Sequence, residues 1–425
     1  MKTVKIDHIA KTEGHMSFVG SLVGGDFAQA RIETQEGARL IEGIMLGRKY
    51  YEAPVITARI CGVCPIVHNL TSIKALEQAL GIKPTEEILL LRKILINAQW
   101  IHSHALHVFF LSFPDLVGVS NNFNLVDKFK EESKLALEIR DFGVQIARIV
   151  GGRTVHPINS VVGGFNVEPD YRELEELMKK QADILEKTQK VYKFVTSYKL
   201  PKFERPTNYV TLKSRKEYSI YDGDIFFSDN DAYASSSEFL DDIRELVVPH
   251  EKVKRVHHLE RSFMVGSLAR VNNNYKHLNP AAKKAWDTLK IDLPCYNSFY
   301  NIFAQAVEIV HSIEEVKILF EKYKKLRVKK NFKKNLKVPF KFKAGKGYAT
   351  MEAPRGVLYH EYELDSEGNM VHINVIAPTT MFLQNLEKDL EQFLTQTIKM
   401  TDKKRIQLIK TMIRSYDPCI SCATH

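Results

Sequence analysis

The sequence predicts a helix-dominated α+β fold: a central bundle of long helices with small peripheral β-sheets near the N-terminus and in the C-terminal third. Three observations predict it. Ile94 to Pro114, the longest stretch without Asp, Glu, Lys or Arg, continues an apolar stripe of helical period. Short runs of alternating apolar residues mark strands near both ends of the chain. Two Cys-x-x-C pairs, Cys61/Cys64 and Cys419/Cys422, lie at opposite ends, so a shared site would require the fold to bring the two ends together. A length of 425 residues would ordinarily suggest two or three domains. No Pro/Gly/Ser-rich linker divides the chain, however, and the expectation is a single domain over residues 1–425.

Taken in order, Val4 to about Glu36 reads as short strands, with alternation in Met16–Gly20 and Ala28–Ile32 and a turn at Gly24-Gly25-Asp26. A helix follows the first cysteine pair, carries Leu70, Ile73, Leu76 and Leu80 on one face, and ends at Gly81. The next opens at Thr85, where Glu86 and Glu87 suit the positive N-terminal end. Its stripe of Ile88, Leu91, Leu95, Ala98, Ile101, Ala105 and Val108 runs into the uncharged stretch. Further helices are expected over 170–197, 299–321, 381–398 and 402–415. Strands return in Val357–Leu364 and Met370–Ile376, separated by a turn at Ser366–Asn369.

Composition narrows the function classes. His102, His104, His107, Asn97 and Gln99 within the uncharged stretch would be costly in lipid, which argues for a helix buried in protein. Met1–Lys5 lacks the apolar core of a secretory signal. Of the five cysteines, only Cys295 stands outside the pairs and reads as a buried hydrophobe. That usage fits a reducing cytoplasm better than a disulfide framework. The net charge of +10 is concentrated, since Lys322 to Lys346 carries twelve Lys/Arg and no acid. A solvated connection or subunit-facing segment is the expectation there, and nucleic acid is not an expected partner. No Gly-rich phosphate loop follows a strand.

Each Cys-x-x-C pair is followed by a histidine, His68 or His425. Short loops of this kind aim two sulfurs at one soft metal. Structural zinc is the ordinary reading of clustered pairs, and a dithiol–disulfide redox centre is another. Zinc ribbons tie short local loops, though, and these pairs flank nearly the whole chain. Each motif also places a charged residue two positions before its first cysteine, Arg59 and Asp417, as if to tune the sulfurs.

The pairs in their contexts, Arg59-Ile60-Cys61-Gly62-Val63-Cys64-Pro65 and Asp417-Pro418-Cys419-Ile420-Ser421-Cys422, resemble the signatures of nickel–iron hydrogenase large subunits. Ordered further matches are Glu13-Gly14-His15, Arg153-Thr154-Val155-His156-Pro157, Gly266–Arg270, Glu352-Ala353-Pro354-Arg355-Gly356 and Pro378-Thr379-Thr380. The resemblance covers the chain from end to end. It implies reversible heterolytic cleavage of dihydrogen. Cys61 and Cys419 would be terminal nickel ligands, and Cys64 and Cys422 would bridge to an iron carrying carbon monoxide and cyanide. Cys419 would receive a proton and Glu13 relay it. Arg355 would donate to one cyanide and serve as a candidate base, Thr379 would hydrogen-bond the other cyanide, and His68 would support a bridging sulfur. Glu42, His425 and the backbone carbonyl near Val375 would hold a divalent ion, usually magnesium. The resemblance also implies a C-terminal extension removed after the final histidine, so a chain ending at His425 reads as mature.

His102-Ser103-His104 stands where membrane-bound and periplasmic relatives have His-Asp-His, which is more similar to the cytosolic, soluble-carrier (group 3) type. That type implies an iron–sulfur small subunit, with flavin and NAD(P)-binding diaphorase chains beyond it. After the cysteine pairs, Cys295 alone cannot hold an iron–sulfur cluster, so clusters and flavin are expected only in partner subunits. A deazaflavin or heterodisulfide-reductase-type partner is the nearest alternative. A silent hydrogenase-like scaffold or a zinc-stabilised structural protein is the alternative of another class.

Overall fold

The computed structural model describes residues 2–23, 27–119, 121–248, 251–329 and 336–425. Helix α1 (Pro65–Leu80) starts directly after the first cysteine pair. Cys64 is its N-cap, Pro65 occupies the first turn where a missing N–H costs nothing, and Gly81 closes it in the left-handed region (φ 69°). Helix α2 (Glu86–Ala105) runs through the uncharged stretch and continues as a π-helical segment, Leu106–Ser112. The stripe expected to be buried in protein is buried, from Ile88 to Val108.

Helix α3 (Lys130–Gly151) has no counterpart in the sequence expectations. Its apolar residues Ala136, Ile139, Phe142, Ile146, Ala147 and Val150 do keep helical spacing, but charged residues dilute the pattern. The helix expected over 170–197 is two, α4 (Tyr171–Lys179) and α5 (Gln181–Thr196), joined at Lys180. Then come α6 (Ser267–Asn274), the 27-residue α7 (Asn301–Arg327), α8 (Pro378–Gln396) and α9 (Asp402–Ser415). Helix α2 lies between α3 and α7, and α5 packs on those same two helices. Among the described residues, no helix is long and apolar enough to cross a membrane.

Among the described residues, three sheets of three or four strands accompany the helices, with two further two-stranded pairs. Strands β1 (Lys2–Ile6), β2 (Met16–Val23) and β3 (Phe27–Thr34) form an antiparallel meander, with Met16 opposite Thr34. The turn expected at Gly24-Gly25-Asp26 falls outside the described residues. A four-stranded sheet in the middle of the sequence was not expected. It is built from β4 (Asn208–Lys213), β5 (Asp224–Phe227), β6 (Ala232–Ala234) and β7 (Phe263–Met264), in the order β7-β4-β5-β6. Five of the six residues of β4 are buried, so alternation, the usual mark of a half-exposed strand, is missing.

The third sheet, β8 (Gly345–Ala353), β9 (Gly356–Leu364) and β10 (Met370–Ile376), is antiparallel and lies on α1. Contact is closest at Gly347, where a Cβ would stand 2.1 Å from the Ala75 carbonyl oxygen of α1. Only a glycine allows β8 to lie that close to the helix that follows the first cysteine pair. The β9–β10 turn is held by the Asp365 carboxylate, which accepts from the backbone N–H of Glu367 and of Asn369, each at 2.9 Å. In the basic stretch, Phe342 stacks on Tyr50 (5.5 Å between ring centroids), with Phe340 edge-on to the same ring.

Candidate metal centre

Local backbone geometry builds each cysteine loop. In the first, the N–H groups of Val63 and Cys64 point at Cys61 Sγ (3.3 and 3.4 Å), folding the loop around that sulfur. The open N-terminus of α1 is closed from α2: Gln99 Oε1 accepts from the N–H of Ile66 (2.6 Å) and Val67 (3.2 Å). In the second, Cys419 N–H donates to Thr379 Oγ1 (3.0 Å) at the start of α8, and Ile420 N–H donates to the Glu13 carbonyl (2.9 Å). Gly14 makes that approach possible. Its φ is +81°, and a Cβ there would be 2.7 Å from Ile420 Cβ. The Glu-Gly-His motif is thus where the N-terminal segment meets the second cysteine pair.

Arg39, which sequence reasoning missed, joins the two motifs. Its guanidinium donates to the Ile60 carbonyl (2.6 Å) and to the Ser421 carbonyl, and its N–H donates to the Thr424 carbonyl (2.8 Å). Arg59, expected to tune the sulfurs, is exposed, because its side chain leaves the loop on the solvent side. His156 of the Arg153–Pro157 motif donates from Nδ1 to the Ala58 carbonyl (2.8 Å), steadying the segment before Cys61.

Together these contacts bring the four cysteines into one buried cluster. Cys61 Sγ is 3.5 Å from Cys419 Sγ, Cys64 Sγ is 3.3 Å from Cys422 Sγ, and all four sulfurs lie within 4.8 Å of one another. Among the described residues, no other group of three or more Cys, His, Asp or Glu side chains is spaced to hold a metal ion. Hydrogen bonds from Cys419 and Cys422 pull the Cys61 thiol well down, whereas burial pushes Cys419 and Cys422 well up. The four share protons as a set. Bringing four thiolates together in a buried site is stable once a cation neutralises them.

Arg355 is buried above this cluster. Its Nε donates to the Asp417 carbonyl (2.8 Å) and Nη2 to Asp417 Oδ1 (2.9 Å), while Nη1 has no protein partner among the described residues. Burial alone would lower its pKa. Asp417 and the thiols of Cys419, Cys64 and Cys61 outweigh that and hold it well above the ordinary value, so the guanidinium stays charged. Arg355, Thr379, His68, Cys64, Cys419 and Cys422 line a small cavity. Thr379 Oγ1 already accepts from Cys419, which leaves its own O–H free to donate. A structural zinc ion would be saturated by four thiolates and would leave Arg355 Nη1 unanswered. The donor set fits a nickel–iron centre.

The loop of Arg355 is held from behind by two motifs the sequence had kept apart. Arg270 donates to Glu308 Oε1 (2.6 Å), to Glu352 Oε2 (2.8 Å), and to the carbonyls of Ala353 (3.0 Å) and Pro354 (2.8 Å). Burial pushes Glu352 up to about 7 despite Arg270.

The remaining expected residues fall around the cluster. Half-buried Glu13 accepts from Cys419 Sγ (3.1 Å) and from Ser421 N–H (3.0 Å) through Oε2, so it spans the buried thiol and the exterior. His68 is buried with its Nδ1 at 3.4 Å from His360 Nε2, and burial pushes it down to about 3, leaving a neutral ring. Glu42 Oε1 accepts from Val375 N–H (2.7 Å), and His425 Nε2 stands 2.8 Å from the Val375 carbonyl oxygen, so these three residues converge. Cys295 is buried away from the cluster, its N–H donating to Asn272. Ser103 is buried with no side-chain partner among the described residues.

Comparison with known proteins agrees with this geometry. A family model described as "Nickel-dependent hydrogenase" matches residues 39–136 and 252–425. The chain belongs to that family and is a hydrogenase catalytic subunit. It is 34% identical to the alpha chain of sulfhydrogenase 1 from Pyrococcus furiosus, over 99% of this chain and 97% of that one. It is 30% identical to the corresponding chain of the F420-non-reducing hydrogenase vhu from Methanocaldococcus jannaschii, over 92% and 98% respectively. Among solved structures, an NAD+-reducing NiFe hydrogenase in the H2-reduced state superposes with a TM-score of 0.90 at 25% identity, covering both chains fully. The NiFeSe hydrogenase of Dm. baculatum shares the fold, with a TM-score of 0.82 at 20% identity.

Proposed function

We propose that this subunit cleaves dihydrogen reversibly and heterolytically in the cytoplasm and passes the electrons through an iron–sulfur small subunit to NAD(P), by way of flavin and diaphorase chains. The observation that carries the chemistry is the buried four-thiol cluster with the Glu13 carboxylate 3.1 Å from Cys419 Sγ. The similarity to an NAD+-reducing hydrogenase over the full chain supports the acceptor. The similarity also to a relative named as F420-non-reducing leaves room for a second reading, in which the acceptor is not NAD(P) and a heterodisulfide-reductase-type partner takes the electrons. Residues 1–425 act as one domain, because both ends of the chain build the same centre.

In this reading Cys61 and Cys419 would hold nickel, and Cys64 and Cys422 would hold nickel together with an iron that carries carbon monoxide and cyanide. The bound metals supply the electrophile at which dihydrogen is polarised. Cys419 Sγ holds the released proton, Glu13 Oε2 takes it, and the half-buried carboxylate hands it outward. Arg355 stays protonated, and its Nη1 would donate to one cyanide, as the Thr379 O–H would to the other. His68, as a neutral ring, would support one of the sulfurs shared by the two metals. Glu42, His425 and the Val375 carbonyl hold magnesium or another divalent ion.

The test is to purify the chain alone and within its complex and to give each dihydrogen with NAD(P). Nicotinamide reduction by the complex and none by the isolated chain is the expected result. Rapid reduction by the isolated, cluster-free chain would overturn the electron route, and reduction of a disulfide acceptor but not NAD(P) would favour the second reading.

A further inference from the structure

Asp417 is the residue through which Arg355 is anchored, and its outer side is occupied. Arg355 takes the Asp417 carbonyl and Oδ1. The other carboxylate oxygen, Oδ2, accepts from Gln305 Nε2 at 3.0 Å. Gln305 is buried on α7, and its amide has two possible orientations. The Asp417 carboxylate decides between them, because only the Gln305 Nε2 can donate to Oδ2, and Gln305 Oε1 then faces His107 Nδ1. Were the amide turned over, its carbonyl oxygen would face the carboxylate, two acceptors together.

His107 is itself fixed. Its Nε2 lies 2.8 Å from the Arg414 carbonyl oxygen, 2.9 Å from Ser112 Oγ, and 3.6 Å from Asp417 Oδ1. His107 and Ser112 are five residues apart, which is the hydrogen-bonding interval of a π-helix and not of an α-helix. They meet because α2 widens into the π-helical segment Leu106–Ser112 at this point. The backbone of Asp417 is also set unusually, with φ 54° in the left-handed region.

We propose that Gln305 and His107 are positioning residues for the hydrogenase reaction, acting through Asp417 to fix the orientation of the Arg355 guanidinium over the metal site. The chain of contacts runs from Ser112 to His107, Gln305, Asp417 and Arg355. The proposal rests on the reading above, in which Arg355 Nη1 faces the ligands of an iron.

The test uses the complete complex with Gln305→Leu, Gln305→Glu and His107→Phe, and reads nickel and iron content, the infrared bands of the iron's carbonyl and cyanide ligands, and turnover with its dependence on dihydrogen concentration. Gln305→Leu should retain both metals, shift the cyanide bands, and lower kcat at least tenfold with little change in KM for dihydrogen. Gln305→Glu should shift the bands further, since two carboxylates would face each other, and His107→Phe should shift them in the Gln305→Leu direction. Full metal content with unmoved bands in Gln305→Leu would overturn the proposal. If that variant does not fold, unmoved bands in metal-loaded His107→Phe would overturn it instead. A wild-type protein without nickel, iron or such bands would overturn the underlying reading, a distinct outcome.

Discussion

Glu13 shows what one side chain contributes to this centre. Its Oε2 accepts from Cys419 Sγ and from Ser421 N–H, so it is held in place by the motif it serves. A Glu13→Gln variant keeps the shape and removes the ionisable group. Turnover is expected to fall by about 10² to 10⁴-fold, the usual worth of a positioned acid–base group. Nickel and iron content and the infrared bands should stay normal, and near-normal turnover would remove Glu13 from the proton route. The cysteines, Glu13 and Arg355 were legible in the sequence because each lies in a short run of distinctive neighbours. Arg39 and Gln305 were not. Their work is done on a backbone carbonyl and on a carboxylate far along the chain, and such contacts impose no local spacing. Arg59 misled for the converse reason: its place beside Cys61 in sequence says nothing about which way its side chain leaves the loop.

At the scale of elements, the centre depends on how closely α1 and the β8–β10 sheet approach. Gly347→Ala should force the two apart, since the added Cβ would stand 2.1 Å from the Ala75 carbonyl oxygen and 2.6 Å from the Ala79 N. Overpacking against a backbone that cannot move aside costs about 1–3 kcal/mol. The expected outcome is a lower melting temperature together with reduced nickel content, because Cys64 caps α1. Gly43→Ala is the control, since a Cβ there meets nothing within 4 Å. Equal melting temperatures for the two variants would contradict this account. Helices with a clean stripe, such as α2 and α9, were legible from the sequence, the latter at 402–415 as expected. Helix α3 and the middle sheet were not, for opposite reasons: charges diluted the stripe of α3, and full burial erased the alternation of β4. The π-helical segment left no trace either, since its residues continue the apolar run of α2.

For the whole molecule, the fold acts to close a long chain on itself. The two cysteine pairs stand 358 residues apart in sequence, yet Cys61 Sγ and Cys419 Sγ are 3.5 Å apart. The N-terminal segment takes part through Glu13 and Gly14, the middle through Arg270, and the last residue through His425. No local segment could build this centre alone, which is why its assembly reads out the fold as a whole. The central claim is that the four thiolates hold nickel and iron. Its most direct measurement is metal analysis of the purified complex combined with infrared spectroscopy, on wild type and on Cys64→Ser and Cys422→Ser. The account predicts nickel, with iron in excess of it because the small subunit's clusters add to the iron of the centre, and carbonyl and cyanide bands in the wild type, with loss of those bands or of assembly in either variant. Zinc alone in the wild type, or unchanged bands and nickel content in the variants, would contradict it.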